Sequence, residues 1–222
     1  LLISKLSLAI DPQINGVFRI SAPGGAQGTC FAIKQTEGTL YLGTAFHAVE
    51  SKNGNIYMGY AYSIENDTIK NLSKAKVVAV DIKADLAVVS LPTRQKFNIL
   101  PLVSVERMEK VRKIGFAYVP SQYSVTFYGY GSGFWLETSG ILSFAYADNV
   151  YSDGVVAPGQ SGGPAVVEGQ VIGVISGGNQ WYDAIEDKEK PVTWPARLGS
   201  ARRLQEILDW AIKNDIQEST NK

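Results

Sequence analysis

The sequence predicts an all-β body closed by a single C-terminal α-helix. Three observations carry this. Short alternating or β-branched runs recur through the first four-fifths of the chain, glycine and polar clusters punctuate them about every 8–12 residues, and only the last segment has helical periodicity. The expected strands are Gly16–Ala22, Gly28–Lys34, Thr39–Gly43, Ile56–Tyr62, Ala75–Ile82, Leu86–Leu91, Val111–Ala117, Ser124–Tyr128, Trp135–Phe144, Pro164–Val167 and Val171–Ser176. Such a series builds a β-barrel or a sandwich. In the last segment Leu204, Ile207, Leu208, Ala211 and Ile212 fall on one helical face, with Ser200 placed to cap it and Trp210 near the face. The helix is expected to pack on the second half of the chain, and the polar tail Gln217–Lys222 to fray.

Composition narrows the function classes. The chain has 222 residues, 45% hydrophobic and 19% charged, as in an ordinary globular protein of one large domain or two small lobes. Its 21 basic and 21 acidic residues cancel, so no field favours nucleic acid or an anionic membrane. The Leu1–Ile10 stretch is apolar but short and carries Lys5, and no other segment approaches a membrane span. The chain is expected to be soluble. Beginning at Leu1 fits release from a longer precursor, and an extracytoplasmic location is the other expectation. One cysteine, Cys30, excludes an internal disulfide, and one histidine, His47, excludes a zinc site built from several histidines. No metal or cofactor is expected. The aromatic clusters Tyr57, Tyr60, Tyr62 and Tyr123–Trp135 lack interleaved basic residues and read as core or groove, not as a base-stacking surface. The charged run 183–190 reads as a solvated loop.

Three local patterns carry chemistry. Pro158-Gly159-Gln160-Ser161-Gly162-Gly163-Pro164 places a serine on a glycine-bounded turn before an apolar strand. Acyl transfer needs such a nucleophile, with backbone N–H groups free to face a developing oxyanion. His47 stands at the end of the strand-like Tyr41–Ala45 and is the chain's only histidine, the residue type best suited to act as a base near neutral pH. Asp85 immediately precedes the apolar run Leu86–Leu91. A carboxylate there can orient the histidine and stabilise its imidazolium. Asp81 competes for that role, but its setting Val80-Asp81-Ile82 reads as a turn or an exposed face, so Asp85 is favoured.

The order His…Asp…Ser in these contexts resembles the chymotrypsin-type clan, the trypsin-like peptidases. Gly28-Thr29-Cys30-Phe31, Asp85-Leu86-Ala87-Val88, Ile114-Gly115-Phe116-Ala117, Thr138-Ser139-Gly140-Ile141 and Val171-Ile172-Gly173-Val174 are similar, in order, to blocks of the disulfide-free, bacterial HtrA-like branch. Phe46 before the histidine departs from that pattern and is expected to crowd the site or shape a subsite. The 222 residues leave no room for a PDZ domain.

The resemblance implies two six-stranded antiparallel β-barrels, one over residues 1–110 with His47 and Asp85, the other over 111–222 with Ser161 and the terminal helix. It implies a serine endopeptidase acting on protein or peptide through an acyl-enzyme, with the N–H groups of Gly159 and Ser161 as oxyanion hole. Substrate would be held by Val155, Val156, Ser176, Gly177, Gly178 and Trp194. With Val155 at the pocket base and no second histidine, a small or medium apolar residue is expected before the scissile bond. Gln160, uncharged where digestive relatives carry aspartate, implies no activation by a freed N-terminus; Cys30 lies near where those relatives begin a disulfide, the partner position is Ala48 here, and Cys30 is expected to be a buried apolar residue. Homo-oligomers are compatible with the HtrA-like branch. The competing readings are a catalytically silent binding or regulatory protein on the same scaffold, a polyprotein-processing, viral-type protease, and a non-catalytic all-β structural module in which the three motifs are coincidental.

Overall fold

A computed structural model of the chain describes residues 16–21, 27–50, 61–65, 72–104, 106–107, 123–131, 134–146, 149–178 and 195–220. Twelve strands are described: β1 (Val17–Ser21), β2 (Gln27–Thr36), β3 (Thr39–Ala45), β4 (Ala61–Glu65), β5 (Leu72–Asp81), β6 (Leu86–Pro92), β7 (Ser124–Gly131), β8 (Phe134–Tyr146), β9 (Asn149–Val155), β10 (Pro164–Val167), β11 (Gln170–Gly178) and β12 (Pro195–Ser200). They close into two antiparallel barrels, ordered β1-β2-β3-β6-β5-β4 and β10-β11-β12-β9-β8-β7. The two-barrel expectation is thus borne out. A helix, α1 (Ala201–Thr220), follows β12 directly. Among the described residues no helix is long and apolar enough to cross a membrane.

Side-chain alternation explains why the central strands read as continuous apolar runs. In β3 and β6, Leu40, Leu42, Ala87 and Val89 point into the first barrel. Their neighbours Tyr41, Ala45, Leu86 and Val88 point the other way, into a core shared with Tyr128, Tyr130 and Val174 of the second barrel. A strand buried on both faces has no polar side to show. The second barrel is filled by Val125, Phe127, Leu142, Val150, Ala165, Ile172, Ile175 and Leu198. Cys30 is fully buried in the first barrel, and burial pushes its thiol's pKa well above the usual range. The connecting segment bonds to both barrels, with Leu100 N–H on the Ala32 carbonyl and Val103 N–H on the Val171 carbonyl, both at 2.9 Å.

Several expectations need correction. The strands β9 and β12 are absent from the sequence reading. Of the expected run Ile56–Tyr62 only Ala61 and Tyr62 are described, and they open β4 (Ala61–Glu65); residues 56–60 lie outside the described residues. The expected strand Val111–Ala117 and the loop 183–190 also lie outside them. Helix α1 does not sit on the second barrel alone. It packs on β5 and β6 of the first as well as β11 and β12 of the second. Leu204, Ile207 and Leu208 join the core between the barrels, and a Cβ at Gly43 would lie 2.8 Å from Leu204 Cδ2. Arg203 fastens this contact by donating to Asp81 and, at 2.6 Å, to Glu206. Trp210 is 56% exposed. It lies two positions past Leu208, about 200° around the helix from the buried stripe.

Candidate active site

The structure brings Asp85 and His47 together. Strand β3 ends in a single 3₁₀ turn, Phe46–Ala48. Successive residues of such a turn splay about 120° apart. Phe46 therefore turns into the first barrel's core, 5% exposed, while His47 turns out with its side chain 42% exposed. Phe46 does not crowd the site, contrary to its sequence-level reading. Asp85 closes the turn between β5 and β6 at φ 54°, a left-handed conformation that aspartate tolerates better than most residues. Its own N–H bonds to the Ile82 carbonyl, and its carbonyl accepts from Phe46 N–H at 3.1 Å. Asp81, the competitor, instead caps this turn by accepting from Ala84 N–H at 3.1 Å and takes Arg203.

The Asp85 carboxylate grips the histidine twice. Oδ1 accepts from His47 backbone N–H at 3.0 Å, and Oδ2 stands 2.8 Å from Nδ1. An ionised carboxylate only accepts, so the contact puts a proton on Nδ1 and leaves Nε2 free to take one. Burial pushes the Asp85 carboxyl's pKa up, but the hydrogen bond and charge of His47, with the Ser176 hydroxyl, outweigh it and hold the group below the usual carboxylate range.

Ser161 lies on the loop of the second barrel that meets this turn. Its carbonyl accepts from Thr29 N–H at 2.8 Å. A Cβ placed on Gly28 would stand 2.8 Å from Ala48 Cβ and 3.0 Å from the Ser161 carbonyl oxygen. The serine's backbone therefore abuts the turn that carries His47. The loop is pinned from within: Gln160 N–H reaches the Ala157 carbonyl, Ala157 N–H reaches Gln160 Oε1 at 2.8 Å, and Gly162 N–H reaches the Ile175 carbonyl at 2.7 Å. Gly159 and Gly162 sit at φ 97° and 87°, which glycine adopts freely. Among the described residues, the N–H groups of Gly159 and Ser161 have no acceptor within the protein.

Of the remaining predicted residues, Val155 is 46% exposed at the end of β9 and Val156 half-buried beside it. Gly177 and Gly178 close β11 opposite Arg197 and Ala196. Trp194 lies outside the described residues. Ser176 is buried, and its hydroxyl donates to Asp85 Oδ2.

Three participants escape sequence reasoning. Thr29, fully buried, donates its hydroxyl to the Gly159 carbonyl at 2.8 Å and accepts from Tyr130 N–H at 2.9 Å. It ties the serine loop to β2 and β7. Gln160 serves as the internal brace, and Arg197 donates to Ser176 Oγ at 2.7 Å. Only the Gly28–Phe31 block hinted at Thr29, and as a strand rather than an anchor. Thr29→Val keeps the shape but leaves a buried N–H and a carbonyl unpaired. It is expected to cost about 1–3 kcal/mol and to lower kcat roughly tenfold with KM little changed. Thermal melts and steady-state kinetics check both effects.

Two closed barrels, with an aspartate–histidine pair of one against a glycine-bounded serine loop of the other, are the architecture of the trypsin-like fold. The chain belongs to the trypsin-like peptidase family: residues 28–174 match the model of the trypsin-like peptidase domain. Among solved structures, the crystal structure of a serine endoprotease from Yersinia pestis is similar, with TM-score 0.66 and 16% identity over 92% of this chain. The match spans 65% of that protein's chain, and at this identity it bears on the fold alone. No curated protein matches the sequence significantly.

Proposed function

We propose that the protein is an endopeptidase in which His47, Asp85 and Ser161 form a catalytic triad. The observation that carries this reading is the two-point grip of Asp85 on His47, which engages Nδ1 and leaves Nε2 to act as the base. Ser161 Oγ attacks the scissile carbonyl carbon as His47 Nε2 takes its proton. The oxyanion is met by the N–H groups of Gly159 and Ser161. The resulting imidazolium protonates the leaving amine, and a water activated by the same histidine releases the acyl group. Every step uses this chain's own residues.

The Gln160 brace supports a loop held without a charged N-terminus, so activation by insertion of a freed N-terminus is not needed. Val155, Val156, Ser176, Gly177, Gly178 and Trp194 form the primary pocket in this reading. Val155 and Val156 offer no charge to a basic side chain, which favours a small or medium apolar residue before the cut. Digestion of an end-blocked peptide library is expected to show internal cleavage after such residues. Dominant cleavage after lysine, arginine or glutamate would overturn the pocket assignment, and absence of internal cleavage would overturn the endopeptidase reading.

A further inference from the structure

Arg197 lies behind the proposed triad, and its position follows from strand alternation. On β12 its neighbours Ala196 and Leu198 are fully buried in the second barrel, so Arg197 projects from the outer face, toward the first. In β11 the register slips between Ile175 and Gly177, and Ser176 is the residue at the slip. The two side chains meet: Arg197 Nη2 donates to Ser176 Oγ at 2.7 Å and stands 3.7 Å from Asp85 Oδ2. Ser176 Oγ in turn donates to that same Oδ2, which accepts from His47 Nδ1.

A guanidinium only donates, so it must occupy a lone pair of the Ser176 hydroxyl. The single hydroxyl proton is thereby committed to Asp85. The guanidinium is also permanently charged. Among the described residues, Arg197 and His47 are the two cationic side chains within 4.0 Å of the Asp85 carboxylate. They share one counter-charge.

We infer that Arg197 is a positioning residue for the triad: through Ser176 it fixes the Asp85 carboxylate, and its charge opposes the imidazolium and so sets the acid limb of the pH–rate profile. This rests on the triad reading above. The other ionisable groups on the packed elements are differently engaged. Asp81, in the strand leading to the Asp85 turn, is held by Arg203 and Arg203 by Glu206. Lys83 is exposed in that turn, Glu50 follows the His47 turn, Arg19 on β1 lies over the Tyr130 ring, and Tyr151 pairs with Arg197 across β9.

The test is kcat/KM against pH for the full chain and its Arg197→Ala, Arg197→Gln and Arg197→Lys variants, on one neutral peptide, with folding checked by circular dichroism. Removing a cation beside the carboxylate favours the imidazolium. The acid limb of the alanine and glutamine variants should therefore move to higher pH by about half to one unit. The lysine variant, which keeps the charge and loses the fork, should keep the limb within about 0.2 units while losing some kcat. An unmoved limb in a folded glutamine variant would overturn the inference and leave Arg197 a packing residue. A loss confined to KM for peptides with an acidic residue before the cut would also overturn it, making Arg197 a substrate anchor. If the triad reading itself fails, the wild type neither cleaves nor reacts with a serine-directed phosphonate, a result distinct from either.

Discussion

Ser161→Ala is expected to lower kcat by roughly 10⁴-fold or more and to leave KM nearly unchanged. The hydroxyl contributes little to ground-state binding, and nothing else in the loop can form the acyl bond. Gly159, Gln160, Gly162 and Gly163 carry no nucleophile. Cys30 is fully buried and its thiol is held protonated. His47→Ala should be about as damaging, and the double variant scarcely worse than either, since serine and histidine act as one unit. The wild type should show a burst of the first product as the acyl-enzyme fills; Ser161→Ala should show none. A burst surviving in Ser161→Ala would place the nucleophile elsewhere.

The second large effect concerns the backbone beneath the serine. Gly162 has φ 87°, and a Cβ there would run into the Thr29 carbonyl and Thr44 Oγ1 and come within 3.0 Å of Ala45 N. These are parts of β2 and β3, so the first barrel cannot yield without disturbing the His47 turn that follows Ala45. Gly38 offers the control, with φ 83° and nothing within 4 Å of its would-be Cβ. Gly38→Ala should cost only the left-handed penalty, about 1–2 kcal/mol, a Tm decrease of roughly 2–8 °C. Gly162→Ala adds the clash and should cost more than about 4 kcal/mol, a large part of a domain's whole stability. A Tm decrease above ~10 °C with loss of activity is expected. Equal effects of the two substitutions would mean that the close approach of the barrels at Gly162 is not tightly held.

What the sequence revealed follows a physical line. Leu86–Leu91 announces itself because burial on both faces demands apolar residues at every position. β9, Asn-Val-Tyr-Ser-Asp-Gly-Val, and β12, Pro-Ala-Arg-Leu-Gly-Ser, are not among the expected strands. Each is nonetheless held between two partners, β9 by β8 and β12, and β12 by β11 and β9. Pairing on both edges overrides weak propensity. Asp85 and His47 were legible because each borders a strand that reads clearly. Thr29, Gln160 and Arg197 were not. Thr29 bonds to Gly159 and Tyr130, more than a hundred positions away, and Arg197 bonds to Ser176 across two strands. Nothing local in the chain marks such pairs. The brace within Ala157–Gln160 is local, but a glutamine gives no sign that it will turn back on its own loop.

The most direct measurement is labelling of the folded protein with a fluorophosphonate, followed by mass-spectrometric mapping of the adduct. One phosphonyl group on Ser161, lost in Ser161→Ala and slowed by orders of magnitude in His47→Ala, is the predicted result. A folded wild type that takes no label, or takes it at another residue, would contradict the assignment of Ser161 as the nucleophile.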